Sequence, residues 1–444
     1  MKSDHISPAA RRLGAVALGV TLVALPLAGC APSSGSGDGD AGGPVTLLTW
    51  GDTKFAELQG ETYNDTFPDE EIDLKVVSGG QDDADSLEKF RLALSSGQDI
   101  PDIVQLNYSS LAEFAEAGVL ADLEPYVGDQ LDGITNAGQE LMQYDDQLLA
   151  VPYEVKTKLW FYRTDLFQEA GIDVAEVRTQ DDFIAAGEKL QLVAPESYMW
   201  NLGPNPAAYN LGEILSGNGA RFSEKEPECA IVVESDPGVR DGFTALKELR
   251  ESGVVEPNID DFSPEWQSGL ADGTIASTLL ASWFPSFLEE YAPDLAGKWG
   301  VTTWPEIGGA DGGSEAAGSI FVIPADAPNK DAAARLLAGT LIDDEGAQAY
   351  VDARGGSFPS AVAAVVENAK STPNEYFGDS LATAYEASSE NYSVFPYDPA
   401  SLTEAGIVQE QLVNYLAADD RDPSSFLQTA QQQIESQVGC PYSD

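Results

Sequence analysis

The sequence predicts an α/β protein of two lobes, on three observations. From residue 45 onward, short apolar runs alternate with segments of helical periodicity. At 444 residues the chain is long for a single hydrophobic core. No Pro/Gly-rich break divides residues 45–300, so the lobes are expected to be joined by chain crossing between them on strands.

Val45–Trp50 reads as a first strand buried on both faces, followed by a helix through Phe55, Leu58 and Tyr63 and a second strand over Ile72–Val77. Leu87, Phe90 and Leu94 share one face of a helix that Gly97 ends. Asp102–Leu106 is a third strand, after which Ser109 or Ser110 caps a helix through Leu111, Phe114 and Ala117, stopped by Gly118. Leu148–Tyr153 and Lys158–Tyr162 are strands, and Asp165–Ala170 is a short helix stopped by Gly171. Thr179 caps a helix over Phe183–Leu192. Asp236-Pro237 and Ser263-Pro264 each pair an N-cap with proline at the first helical position. The second of these leads through Trp266 and Leu270 to the strand Ile275–Ala281. Gly318–Pro324 is a strand, Asp331–Leu341 and Glu345–Arg354 are helices, and 401–438 is a polar helical tail. Gly308–Gly318 reads as a surface loop, and no internal repeat is visible.

The N-terminus is an address rather than part of this body. Lys2, Arg11 and Arg12 precede the apolar stretch Leu13–Gly29, which closes on Leu27-Ala28-Gly29-Cys30. That is the pattern of a secretory signal, residues 1–29, with the small residues before a lipidated cysteine that a lipoprotein signal peptidase needs. The stretch contains Pro26 and falls short of the roughly 20 apolar residues that span a bilayer. A diacylglyceryl Cys30 would anchor the chain without a membrane helix. Residues 30–44 are rich in Gly, Ser and Asp and carry no apolar period, so they form a flexible tether.

Composition narrows the chemistry. The only histidine, His5, lies within the signal. The exported chain therefore cannot run a Ser-His-Asp or Cys-His mechanism, and it lacks the usual ligand for zinc or copper. No metal and no other cofactor is expected, and no Gly-x₄-Gly-Lys-Ser/Thr loop for nucleotide phosphates occurs. The net charge of −51 repels nucleic acid, phosphates and anionic lipid, and points to a neutral or cationic ligand. Beyond Cys30 the cysteines are Cys229 and Cys440, an even pair that in an oxidising compartment is most simply a disulfide. On residues alone a glycoside hydrolase with a carboxylate pair, which needs no histidine, stays open.

Several local patterns, in order, resemble a known family. They are Gly97-x₃-Pro101-Asp102-Ile103-Val104; Phe114-x₃-Gly118-x-Leu120; Ala150-Val151-Pro152 running to Trp160-x-Tyr162-Arg163-x-Asp165-Leu166; Gly273 to Trp283; Trp304-Pro305; Gly318-Ser319-x₂-Val322-Ile323-Pro324; and Gly355-Gly356-x₂-Pro359-Ser360. The combination resembles the maltodextrin- and sugar-binding lipoproteins of ABC importers, the extracellular solute-binding proteins of family 1. The resemblance implies a periplasmic-binding-protein-like fold whose two hinged lobes close on a central ligand cleft. It implies one lobe over 45–155 plus 306–350 and another over 156–305 plus 351–444, with crossings near Pro152–Thr157, Thr303–Glu306 and Tyr350–Gly355. It also implies a monomer that binds a neutral sugar, catalyses nothing, and meets permease subunits at the membrane. A polyamine or peptide ligand on the same fold is the alternative.

A sugar presents apolar C–H faces and a rim of hydroxyls, so its site needs flat aromatic platforms beside carboxylates, amides and basic groups. In open α/β sheets such groups sit at strand ends. Trp50 ends the first strand and reads equally as site or core, and Asp52 follows it as ligand contact or helix cap. Asn107 and Tyr108 follow the third strand. Glu154 is a lone acid in an apolar stretch and needs a partner or a ligand. Trp283 closes the strand Ile275–Ala281 where the family places a stacking aromatic. Ser319, after a glycine that lets backbone approach a ligand, completes one edge. Arg354 bonds either a hydroxyl or a surface acid, and Phe395 and Tyr397 lie in a Pro-bounded aromatic loop. Asp102 reads as structural, and Trp200 and Trp304 as packing or rim.

Overall fold

The computed structural model describes residues 42–441 apart from 52, 81–82, 206–207, 226–228, 310–313, 316–317, 357–358, 372–373, 391 and 394. The signal, most of the tether, Cys30 and Asp52 lie outside the described residues.

Eight strands matter for the site: β1 (Val45–Thr49), β2 (Leu74–Ser78), β3 (Ile103–Asn107), β4 (Val151–Pro152), β5 (Lys158–Arg163), β6 (Ser277–Ala281), β7 (Trp299–Thr302) and β8 (Ser319–Val322). They form two sheets. The first has the order β2-β1-β3-β8-β4, parallel from β2 to β3, with β8 running antiparallel to β3 and β4. The second has the order β6-β5-β7, with both outer strands antiparallel to β5.

The first sheet carries its own core. Leu47, Ile103, Val104, Ile320 and Val322 pack against Phe90, Phe114, Leu336, Leu337 and Tyr350 from surrounding helices. Asp102 is buried here, accepting from Thr46 N at 2.8 Å and Asn329 N at 2.7 Å, so it ties the start of β3 to β1 and to the helix Lys330–Leu341. Ala361, Val362 and Val365 also pack in this core. Leu402, further along the chain, also packs against it.

The second sheet is buried on both faces, which is why β5 reads as the unbroken apolar run Leu159-Trp160-Phe161. Trp160 faces a core with Phe183, Trp200, Phe243, Leu412 and Ile434, while Leu159 and Phe161 face another with Trp266, Phe284 and Trp299. The two-residue period of a strand explains the division. Trp200 and Trp304 are both packing residues rather than rim; the Trp304 indole N–H donates to the Leu159 and Leu280 carbonyls at 3.0 and 2.9 Å.

The caps follow the sequence closely. Thr179 and Asp182 form a reciprocal capping box at the helix Gln180–Val193. Asp236 and Ser263 accept from Val239 N and Trp266 N at 2.9 and 3.1 Å. Ser110, in contrast, makes no side-chain cap bond, because a 3-10 turn over Tyr108–Ser110 runs directly into the helix Leu111–Glu116. The expected strand Leu148–Tyr153 is two short pairings, Gln147–Leu148 and Val151–Pro152, because Leu149 N and Ala150 N turn aside to the Met142 carbonyl. The tail is two helices, Ser401–Ala417 and Ser424–Gln437. They are polar on one face only, since Val408, Leu412, Tyr415, Leu427 and Ile434 are buried. Within the expected loop Gly308–Gly318, Ser314–Glu315 pairs in parallel with Tyr392–Ser393. Cys229 and Cys440 are bonded as a disulfide with Cα atoms 6.0 Å apart, pinning the end of the last helix near Ala230–Ile231.

Candidate functional site

The antiparallel register sets Ser319 opposite Asn107 at the carboxyl end of β3. Tyr153 N and Glu154 N then donate to the Ser319 carbonyl at 2.9 and 3.2 Å, and Tyr108 N donates to the Gly318 carbonyl at 3.0 Å. Three segments distant in sequence are thereby fixed within a hydrogen bond of one another. Gly318 permits this at φ 147°, because a Cβ there would meet the Glu154 carbonyl oxygen at 2.6 Å. These segments border a cavity of about 860 Å³, within the usual range for small-molecule sites.

One wall is polar and comes from the first sheet. Thr49, Trp50, Gln105, Asn107 and Tyr108 line it at the ends of β1 and β3, where parallel strands expose their crevice. The Thr49 hydroxyl bonds the Gln105 side-chain carbonyl, and the Asn107 amide donates to Asp83 Oδ2 at 2.5 Å. Burial, reinforced by the charge of Glu140, pushes the Tyr108 hydroxyl up to about 12, so it stays neutral and donates to the Glu140 carbonyl at 3.5 Å.

The floor holds Tyr153, Glu154, Lys156, Ser319 and Arg354. The Arg354 guanidinium lies 3.9 Å from the ring centre of Phe55 and bonds the hydroxyls of Tyr153 and Tyr350. Tyr350 in turn donates to the Phe55 carbonyl at 3.0 Å, so the platform and its cation are held as one unit. Burial raises the Glu154 carboxyl above its ordinary value, and the charges of Arg354 and Lys156 pull it back. Lys156 Nζ also lies 2.8 Å from Glu213 Oε1, a buried carboxylate. The floor thus presents both charge signs, mutually compensated.

The opposite wall is aromatic. Trp283 projects from the turn after β6, with Phe262 and Phe287 at ring-centre distances of 6.0 and 5.6 Å. Phe395 and Tyr397 pack together at 4.9 Å, and Tyr397 meets Tyr108 edge-on at 6.1 Å.

Every expected ligand residue that is described lines this one cavity: Trp50, Asn107, Tyr108, Glu154, Trp283, Ser319, Arg354, Phe395 and Tyr397. Gly355 and Gly356, which follow Arg354, are not among its lining residues. Sequence reasoning missed Phe55, Asp83, Gln105, Tyr153, Lys156, Phe262 and Phe287. Tyr153 and Lys156 flank Glu154 and were within reach of the same argument. Among the described residues, no group of three or more acids, cysteines or histidines is placed to hold a metal, and no helix is long and apolar enough to cross a membrane.

Residues 50–348 match the bacterial extracellular solute-binding proteins. The chain belongs to this family. As a solute-binding protein it is 25% identical over 339 residues to the arabinooligosaccharide-binding protein of Bacillus subtilis, spanning 73% of this chain and 75% of the relative. It is 24% identical to the lactose-binding protein of Rhizobium radiobacter, over 76% and 79% of the two chains. Among solved structures, the binding protein from B. animalis subsp. lactis in complex with beta-1,6-galactobiose superposes with a TM-score of 0.74 at 20% identity, covering 89% of this chain and 99% of that one. This solute-binding protein therefore shares the fold of the sugar-binding members.

Proposed function

We propose that this solute-binding protein captures a neutral oligosaccharide in the cavity and delivers it to the permease of an ABC importer. The observation that carries the reading is the division of the cavity. One wall offers hydroxyl, amide and carboxylate groups, and the other offers flat rings, which is what the rim and the faces of a sugar require. Relatives whose names state arabinooligosaccharide and lactose binding support the same ligand class. The two sheets with their separate cores are the two lobes. Ligand bridging Trp50 and Asn107 on one wall to Trp283 on the other would draw the lobes together. Cys30 carries the lipid that keeps the protein outside the membrane beside its permease, and residues 31–44 are the tether that lets it swing.

The test is a thermal-shift screen of the soluble form lacking residues 1–30 against monosaccharides and against arabino-, galacto- and malto-oligosaccharides. A specific ligand raises stability as RT ln(1 + [L]/Kd), about 2.7 kcal/mol at a hundredfold excess over Kd. A panel in which no sugar shifts the midpoint, while a polyamine or peptide does, would overturn the oligosaccharide reading.

A further inference from the structure

The part of the aromatic wall formed by Phe395 and Tyr397 rests on a buried pair of acids. Asp398 follows Tyr397 directly, and Ser401, Leu402 and Ala405, from the helix Ser401–Ala417, line the same cavity. Asp398 holds this turn together. Its carboxylate accepts from Ala400 N at 2.8 Å and from the Ser401 hydroxyl at 3.2 Å, and its own N–H donates to Ser401 Oγ at 2.6 Å. It also accepts from the Ser223 hydroxyl, which ties the turn to the antiparallel pairing of Ser223–Glu224 with Ala230–Ile231. Phe222, next to that serine, lines the cavity with its ring centre 5.2 Å from that of Phe395.

Glu404 lies one helical turn beyond Ser401, is buried like Asp398, and is hydrogen-bonded to it. Two carboxyl groups in contact away from water do not both ionise, so the pair holds one proton and Glu404 uses it to donate. Asp398 is the charge that acts on Glu404. Charged groups on the elements packed around this helix are engaged elsewhere. Glu213 is paired with Lys156, and Lys247 bonds the carbonyls of Tyr415, Leu416 and Ala418 at the far end of the helix. Arg240 meets Asp422, Glu435 accepts from Gln431, and Arg221 lies 4.0 Å from Glu224. The shared proton is therefore what keeps the two acids, and the turn they anchor, in place.

We infer that Asp398 and Glu404 are positioning residues that hold the Phe395–Tyr397 wall only while they share one proton, so that the cavity binds its ligand more weakly in alkaline solution. Ionised together, the two carboxylates repel each other and must take up water. The turn yields to this because it is anchored through Asp398 itself, and Tyr397 then leaves its edge-on contact with Tyr108. Binding that requires the protonated pair loses at most tenfold in affinity per pH unit. The inference rests on the cavity being the ligand site and is independent of which neutral ligand fills it.

The test has two arms, both on the soluble chain lacking residues 1–30. The first, without ligand, follows hydrogen exchange over residues 395–404 at pH 6.5, 8 and 9.5, corrected for the intrinsic pH dependence of amide exchange. The wild type should lose about tenfold in protection between the lowest and highest pH, and Glu404→Gln should change less than twofold. The second arm titrates β-1,6-galactobiose and α-1,5-arabinotriose by calorimetry at the same pH values. Affinity should fall about tenfold from pH 6.5 to 9.5 in the wild type and less than twofold in Glu404→Gln. Asp398→Asn, whose amide can donate to an ionised Glu404, should give the same flat profile and serves if Glu404→Gln does not fold. Unchanged protection in the wild type, or affinity that is flat while protection falls, would overturn the inference. So would variants whose profiles run parallel to the wild type. If neither sugar binds at any pH, the oligosaccharide reading fails for these sugars, and the exchange arm alone decides whether the proton holds the wall.

Discussion

Asp398 and Glu404 are both buried, at 2% and 1% exposure, beside the turn that carries Phe395 and Tyr397. Asp398 accepts from the hydroxyls of Ser223 and Ser401 and from Ala400 N at 2.8 Å. Glu404 is hydrogen-bonded to Asp398, while its Oε1 is buried with no hydrogen-bond partner. Burial first, and the neighbouring Asp398 second, push the Glu404 carboxyl up to about 8 from 4.5. The folded state thus keeps a proton that the unfolded chain releases above pH 4.5. Stability from this group is complete below about 4.5 and is lost as pH rises toward 8. Each pH unit is worth about 1.4 kcal/mol, so the loss across that window is on the order of 5 kcal/mol at most. Glu404→Gln keeps the donor to Asp398 and removes the titration. Chemical denaturation from pH 5 to pH 9 should show the wild type losing a few kcal/mol more than Glu404→Gln over that interval. Repulsion among the other acidic residues gives both proteins the same background slope, so only the difference between them reports on Glu404. Parallel pH profiles would refute the reasoning.

Trp283→Ala should weaken binding of the ligand that the thermal screen selects by at least tenfold, about 1.4 kcal/mol. Stacked aromatics contribute at that level through burial and ring contact; unchanged affinity in calorimetry would remove Trp283 from the site. Metabolic labelling with a palmitate analogue should mark the wild-type protein and spare Cys30→Ser, while the two proteins, once purified, bind ligand alike. Label on both, or loss of binding in Cys30→Ser, would show that the cysteine has another role.

What the sequence reveals about the site depends on how local each signal is. Trp50, Asn107 and Ser319 were legible because each sits at the end of an apolar run, and a strand end in an α/β sheet is a fixed address. Glu154 was legible as an acid in want of a partner. That partner, Arg354, lies 200 residues away, and only the packing of the helix Asp344–Ala353 against the first core brings it near. Phe262 carried no local signal at all. It precedes Ser263-Pro264, which reads correctly as the start of a helix, and nothing in that pattern announces a left-handed residue. The tail misled for a related reason. Its glutamines and glutamates hide an apolar stripe, because a helix needs only one buried face.

The floor of the cavity has a consequence for how binding and closure are coupled. β4 ends at Pro152 in the first sheet, and β5 begins at Lys158 in the second, so residues 153–157 are one link between the sheets. Tyr153, Glu154 and Lys156, three of the floor residues, belong to that link. The first two are hydrogen-bonded through their backbone to Ser319 in the first sheet, while Lys156 is paired with Glu213, whose helix packs beside the second-sheet core. At this crossing, a rotation of one sheet against the other would be taken up between Glu154 and Lys156, within the site itself. A ligand held by these side chains would act directly on one of the segments that join the lobes. Differential contact with open and closed forms is what a ligand needs to shift such an equilibrium, and here the contact and the pivot are the same few residues.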